Sequence, residues 1–273
     1  MPERFPARWL RLREPVDHEA RDDALAVTLA GILPRERRVH VVDLGAGGGS
    51  NLRYLGPRLP QTQHWTLVDH DAALLEQALA GRGIAASGAE RPRVEASALR
   101  SNLEDFPDGL PASPDLLTGS ALLDLVSADW LQRVVECCCR WGIPALFALS
   151  VDGRLAFDPS LPGDDLVDAA IGAHQQRHKD MGPALGPEAT DVAAGLFAAR
   201  GARVMCRHSD WWLDPEQAAL QRALLEGWHS AAREQRPDAA ADIDRWLDDR
   251  LRALTRSHIQ VGHQDLLAIP CQD

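Results

Sequence analysis

The chain has 273 residues, of which 45% are apolar, and a formal net charge of −11. That is enough apolar mass for one large domain, or a domain with an added lobe, around a sizeable core. The acidic balance disfavours nucleic acid as a partner, since phosphate-backbone affinity comes from clustered Lys and Arg, and no apolar run approaches the roughly 20 residues of a membrane-spanning helix.

The opening MPERFPARWLRLREP is charged and not signal-like, so a cytoplasmic location without membrane association is expected. Residues 16–33 carry Val16, Ala20, Leu25, Ala26, Leu29, Ile32 and Leu33 among charges. This amphipathic pattern predicts one helix, part of an N-terminal cap over residues 1–34 that lies across the crevice at a sheet edge. VHVVDL, residues 39–44, is the short apolar run of a buried parallel strand. Gly45, Gly47 and Gly49 follow at alternate positions, with Asp43 ahead of them and Ser50 where a dinucleotide fingerprint places its third glycine. Bare backbone there lets a ligand approach closely, and a helix starting at Ser50 or Asn51 directs N–H groups toward it. A carboxylate at this turn suits a ligand that carries an ammonium group.

Leu52, Leu55 and Leu59 continue that helix to Pro60, and WTLVDHD predicts a second strand over 65–71. Asp69 stands 24 residues beyond Gly45, where a carboxylate at the end of the next strand accepts both hydroxyls of a ribose. Asp71 is the expected N-cap of the helix AALLEQALA.

The glycine turn with Asp43, taken together with Asp69, resembles the first two motifs of the class I S-adenosylmethionine-dependent methyltransferases. The resemblance implies a doubly wound α/β fold with seven strands in the order 3-2-1-4-5-7-6, mostly parallel with the last strand antiparallel. It implies S-adenosyl-L-methionine as cofactor and S-adenosyl-L-homocysteine as product, held by Asp43, Gly45, Gly47, Gly49, Asn51 and Asp69. Relatives often hold the methionine carboxylate with an N-terminal arginine, which selects Arg21. They contact the adenine after strand three, which makes Ser97 and Asn102 candidates. PDLLTGSALLDLV, residues 114–126, resembles the fourth motif, where a strand ends beside the transferred methyl group, and it places Ser120 and Asp124 there.

RVEASAL reads as strand three, 115–119 as strand four, 128–141 as a helix, and PALFALSVDG as strand five. Cys137, Cys138 and Cys139 are consecutive, so on a helix they point about 100° apart and do not converge on a metal; they read as small buried residues in a reducing compartment. The next helix carries a stripe of Val167, Ile171, His174 and His178. Its H-x-x-x-H pair lacks a third ligand, so no metal is expected, and His174 becomes a substrate-binding or general-base candidate. Arg154 and Lys179 are candidate ligands for an anionic substrate. ATDVAAGLFAARG is a helix closed at Gly201, ARVMCRH strand six, and Asp214-Pro215 with Gln217 a capping box that opens a long helix. A further helix spans 238–256, and HIQVGHQDLLAIP ends the chain as a strand.

In such a sheet, ligands bind at the carboxyl ends of the strands. The helical insertions after strands five and six leave from that edge, so residues 151–273 are expected to wall an acceptor pocket beside the cofactor half, 35–150. Trp211 and Trp212 stand where the wall begins, for packing or for acceptor stacking. The reading is methyl transfer to a small molecule by in-line displacement, with His174 and then Asp124 as base where one is needed. An RNA or protein methyltransferase and a non-catalytic cofactor-binding partner subunit are the alternatives. A nicotinamide-dependent oxidoreductase is disfavoured by Ser50 and Asp43.

Overall fold

Strand β1 (Val39–Leu44) is buried along almost its whole length, as a central parallel strand must be. In the computed structural model, which describes residues 6–80, 93–107, 110, 113–175, 178–179 and 182–271, it pairs in parallel with β2 (Gln63–Asp69) and β4 (Leu116–Ser120). β3 (Val94–Arg100) lies outside β2, and β5 (Ala145–Asp158) outside β4. The C-terminal strand β8 (His258–Ile269) then runs antiparallel between β5 and β6 (Arg203–His208). This is the expected order, with one addition. A short strand, β7 (Trp211–Leu213), pairs with Ile259, Gln260 and Val261, so the strand expected as the seventh is the eighth in sequence.

β5 is longer than expected. Ala145–Ala148 pair with β4, and the remaining residues run on past the sheet edge with the first half of β8. Register shifts at Val261/His263 and Gln264/Leu266 bend this two-stranded arm. One core, with Leu25 and Leu29 of α2 (Asp23–Ile32), Leu52 and Leu55 of α3 (Ser50–Leu55), and Leu75 of α4 (Ala72–Ala80), covers one sheet face. A second, from α5 (Ala128–Trp141) and α7 (Ala189–Ala198), covers the other and takes in Cys137 and Cys138. A third lies outside the sheet. It joins the arm to α1 (Ala7–Ala20), α6 (Asp164–Gln175), α8 (Ala218–Gln235) and α9 (Ala240–Ala253). No helix among the described residues is long and apolar enough to cross a membrane.

Two expectations are corrected. The cap is two helices, because Asp22 accepts a hydrogen bond from the Ala24 N–H at 2.7 Å and starts α2 afresh. The break at Arg21 turns that residue inward. The stripe of α6 ends at Gln175, and His178 and Lys179 lie in a two-residue ladder against Gly182 and Pro183. His178 therefore does not share a helix face with His174. The capping box at Asp214 is present, as is the cap at Asp71, whose Oδ1 accepts from the Ala73 N–H at 2.9 Å.

Candidate active site

The turn after β1 is left-handed at Gly45 (φ 64°), Gly47 (φ 50°) and Gly49 (φ 79°). At Gly49 the need for glycine is packing, since a Cβ there would lie 2.9 Å from the Ala78 Cβ of α4. Gly47 N–H donates to Asp69 Oδ2 at 2.8 Å, and Asp71 N–H donates to Asp69 Oδ1 at 2.9 Å. The two loops at the carboxyl ends of β1 and β2 are thereby one unit. Each Asp69 oxygen still has acceptor capacity left, and the residue is 7% exposed at the sheet edge.

Beneath the turn lies a buried polar network. Asn51 Nδ2 donates to Asp43 Oδ1 at 2.7 Å and to Thr118 Oγ1 at 3.1 Å, while Arg21 Nη1 donates to Asn51 Oδ1 at 2.8 Å. Asp43 is fully buried, and its Oδ2 has no hydrogen-bond partner among the described residues. Burial pushes its carboxyl up to about 7, against the pull of the Asn51 hydrogen bond and the Arg21 charge. Asp43 is thus not the open carboxylate at the turn that its position suggested, because Asn51 closes over it. Arg21 is likewise no surface clamp. It stacks on Tyr54 with its guanidinium carbon 4.0 Å from the ring centroid, and its Nε, which makes no hydrogen bond among the described residues, lies 3.9 Å from Asp265 Oδ2. Burial lowers its pKa, and the charges of Asp265 and Asp43 oppose that.

Of the adenine candidates, Ser97 is misplaced. It pairs with Thr66 in mid-strand, three residues short of the end of β3, and its exposed hydroxyl lies 3.2 Å from His64 Nε2. Asn102 does stand at the carboxyl edge, exposed, next to Ser101, whose N–H donates to Asp69 O. Ser120 ends β4 at the same edge.

Beyond β4 opens a chamber of about 390 Å³. Ala121 and Asp124 line it, and between them the Leu122 side chain comes 3.3 Å from where a Gly45 Cβ would sit. The loop after β4 therefore touches both: Leu122 packs against the glycine turn, while Ala121 and Asp124 line the chamber. Ala121 (φ 52°), just after β4, and Leu149 (φ 57°), just past the stretch of β5 that pairs with β4, hold left-handed backbone, a conformation that costs about 1–2 kcal/mol for such residues. Leu149 is kept there by its N–H, which donates to Asp265 Oδ1 at 2.8 Å.

The remaining walls are Trp9 and Arg13 of α1, Asp168, Ile171 and His174 of α6, Leu224 and Trp228 of α8, Trp211 of β7, and the β5/β8 arm with Val151, Arg154, Val261 and His263. His174 faces the chamber as expected, with Nε2 3.5 Å from Glu234. Arg154 also lines it, but its guanidinium is held by Asp152 and Asp210. Those two acids and His208 lie close enough to suggest a metal cluster, yet Arg154 occupies the middle of it. Trp211 is buried, its Nε1–H donating to Asp17 Oδ1 at 3.1 Å, whereas Trp212 is 71% exposed and walls nothing. The side chain of Lys179 lies outside the described residues.

No family model and no curated protein matches the sequence. Among solved structures, the YcgJ protein of Bacillus subtilis is 11% identical with a TM-score of 0.50, covering 92% of this chain and 100% of its own. A cyclopropane synthase of Mycobacterium tuberculosis is 13% identical with a TM-score of 0.50, covering 97% and 94%. A methyltransferase of Geobacter sulfurreducens in complex with S-adenosyl-L-homocysteine is 14% identical with a TM-score of 0.47, covering 98% and 99%. The chain has the class I S-adenosylmethionine-dependent methyltransferase fold.

Within this methyltransferase fold, sequence reasoning missed His263, Trp9, Trp228, Arg13 and Asp168. His263 is 2% exposed and lies against Trp211 with ring centroids 4.8 Å apart. Its Nδ1–H donates to Val261 O at 2.9 Å, which leaves Nε2 as the lone-pair nitrogen. Burial, with Arg13 nearby, lowers its pKa to about 4, so the ring is neutral. The only signal for it was its position on a strand whose bulges sequence does not disclose.

Proposed function

We propose that this chain transfers a methyl group from S-adenosyl-L-methionine to a small-molecule acceptor. The observation that carries the reading is adjacency: the turn tied to Asp69 and the chamber meet at the loop after β4, whose Leu122 packs against the turn and whose Ala121 and Asp124 line the chamber. A sulfonium cofactor fits the residues on one side of it. Asp69 offers spare acceptor capacity to ribose hydroxyls, the left-handed turn presents backbone, and the unpaired Asp43 Oδ2 is a buried acceptor for the methionine ammonium. Asn102 is placed for the adenine edge. Arg21 holds Asn51 and would bring its charge near the carboxylate end. The bound cofactor would supply an electrophilic methyl carbon.

The chain's own part is then to position an acceptor and keep water out. α1 serves both tasks. His18 Nε2 lies 3.1 Å from Ser50 O, and Glu14 pairs with Arg53, whose Nη1 donates to Gly48 O at 2.7 Å. At the same time Trp9 and Arg13 line one wall of the chamber. Where the acceptor must lose a proton, His174, Asp124 and the lone pair of His263 Nε2 are the groups on the wall that take one. Calorimetry with S-adenosyl-L-homocysteine, with NAD as control, tests the cofactor assignment: binding of the first alone is expected, and no affinity for it refutes the reading. Methyl-labelled cofactor with cell extract would then locate the acceptor by mass.

A further inference from the structure

The chamber's aromatic walls and its excess of carboxylates point to the class of acceptor. Trp9, Trp211 and Trp228 line it from three different elements, with Trp9 and Trp211 tilted against each other at 6.4 Å between centroids. Tryptophan faces attract cations through the ring quadrupole. The two arginines on the wall are already satisfied. Arg13 is bound through Nε and Nη2 to both oxygens of Asp17 and lies 5.0 Å over Trp211, and Arg154 is held by Asp152 and Asp210. Around and behind the cavity, then, two arginines stand against Asp17, Asp152, Asp210, Asp124 and Asp168.

His263 adds no positive charge, since burial keeps its ring neutral. Asp168, half-buried on α6, has no hydrogen-bond or ion-pair partner among the described residues. Its pKa is raised, first by burial and then by Asp165, and that cost is one a cation in the chamber would offset. An anion would face the reverse, with Asp168 and Asp124 repelling it and no arginine free to receive it among the described lining residues. The expectation that Arg154 ligates an anionic substrate is thereby replaced.

We propose that the chamber binds an organic amine in its ammonium form, the cation paired with Asp168 and its apolar body against the tryptophans. This rests on the methyltransferase reading only in calling that amine the acceptor. The test is calorimetry on the full chain saturated with S-adenosyl-L-homocysteine, using three probes of similar shape: 2-phenylethylamine, 2-phenylethanol and 3-phenylpropanoate. The amine is expected to bind at least tenfold more tightly than the other two. Asp168→Asn should remove that advantage while leaving alcohol and S-adenosyl-L-homocysteine affinity within twofold. Binding of the carboxylate as tight as that of the amine, an unchanged amine affinity in Asp168→Asn, or no binding of any probe would each overturn the proposal. Failure of S-adenosyl-L-homocysteine to bind would refute the methyltransferase reading instead, and the same series run without it still decides the chamber.

Discussion

The two halves of the proposed active site are built on opposite plans. On the cofactor side, Asp43, the glycines, Asn51 and Asp69 lie within 27 consecutive residues, and two backbone-to-carboxylate hydrogen bonds at Asp69 lock the loops. On the acceptor side, Trp9, Asp124, Asp168, Trp228 and His263 come from five separated elements, of which α1, α6, α8 and the β5/β8 arm are joined by the third core. A short motif can hold a shared ligand wherever the sheet recurs. A wall made from distant insertions can change its chemistry one element at a time.

The contrast can be broken most forcefully at the pair that joins α6 to α9. Arg250 is fully buried, donates through Nε to Asp164 Oδ1 at 2.9 Å and through Nη1 to Pro159 O at 2.9 Å, and lies 4.0 Å over Phe157. Trp246 Nε1–H donates to the same Asp164 oxygen at 2.8 Å. Arg250→Ala leaves the Asp164 charge without its partner and should cost about 3–5 kcal/mol in urea unfolding. The surviving folded fraction should keep its S-adenosyl-L-homocysteine affinity, because the cofactor half does not depend on that clamp. A matching loss of cofactor affinity would show that the halves are one unit.

Next in size is the pH response of the buried network. With the Asp43 carboxyl raised from 3.8 to about 7, the folded chain retains a proton between these values that the unfolded chain has released. Stability contributed at this group is therefore lost as pH rises from about 4 to about 7, by up to on the order of 4 kcal/mol. Asp43→Asn should flatten that decline between about pH 4 and about pH 7 in denaturant titrations. Saturating S-adenosyl-L-homocysteine should flatten it in the unsubstituted chain as well, since an ammonium at Oδ2 favours the charged form. Parallel curves in all three cases would remove Asp43 from the ligand's surroundings.

Asp69→Asn should act more narrowly. It replaces a charged acceptor by a neutral one, and hydrogen bonds to charged groups contribute about 1.5–3 kcal/mol each, so S-adenosyl-L-homocysteine affinity should fall about 10- to 100-fold by calorimetry. An unchanged affinity would move the ribose away from β2.

These two halves were not equally legible in the sequence. Strand β1, the turn at Gly45 and the carboxylate of Asp69 could be read because each rests on local patterning: an apolar run, alternating glycines, an acid at a strand end; the strand order came from the resemblance that those motifs carry. What failed were readings that needed depth or register. Asp43 and Arg21 were located in sequence, but their burial under Asn51 follows from a helix break at Asp22 and from Tyr54 packing, neither of which has a periodic signature. Ser97 was misplaced because it lies in the middle of β3, paired with Thr66, and not beyond the strand's carboxyl end where the resemblance puts the adenine contact. His263 was invisible because its inward placement depends on the bulges that bend the β5/β8 arm. Arg154 was seen as a free cation because Asp210 is 56 residues away from it.

The smallest expected effects come from two neighbours. Trp211 and Trp212 are adjacent on β7 and so point to opposite faces. Trp212 is 71% exposed, and Trp212→Ser should change stability by no more than about 0.5 kcal/mol and leave amine binding untouched. Trp211→Phe keeps an aromatic ring beside His263 but deletes the N–H that donates to Asp17. Asp17 then has Arg13 alone, and burial already raises its pKa. A loss of about 1–3 kcal/mol is expected, with weaker 2-phenylethylamine binding because the anchor of Arg13 on the wall has loosened. Equal effects from both tryptophans would mean that the α1 end of the chamber is open in solution. That would shift the enclosure of the acceptor from α1 to the arm and α6.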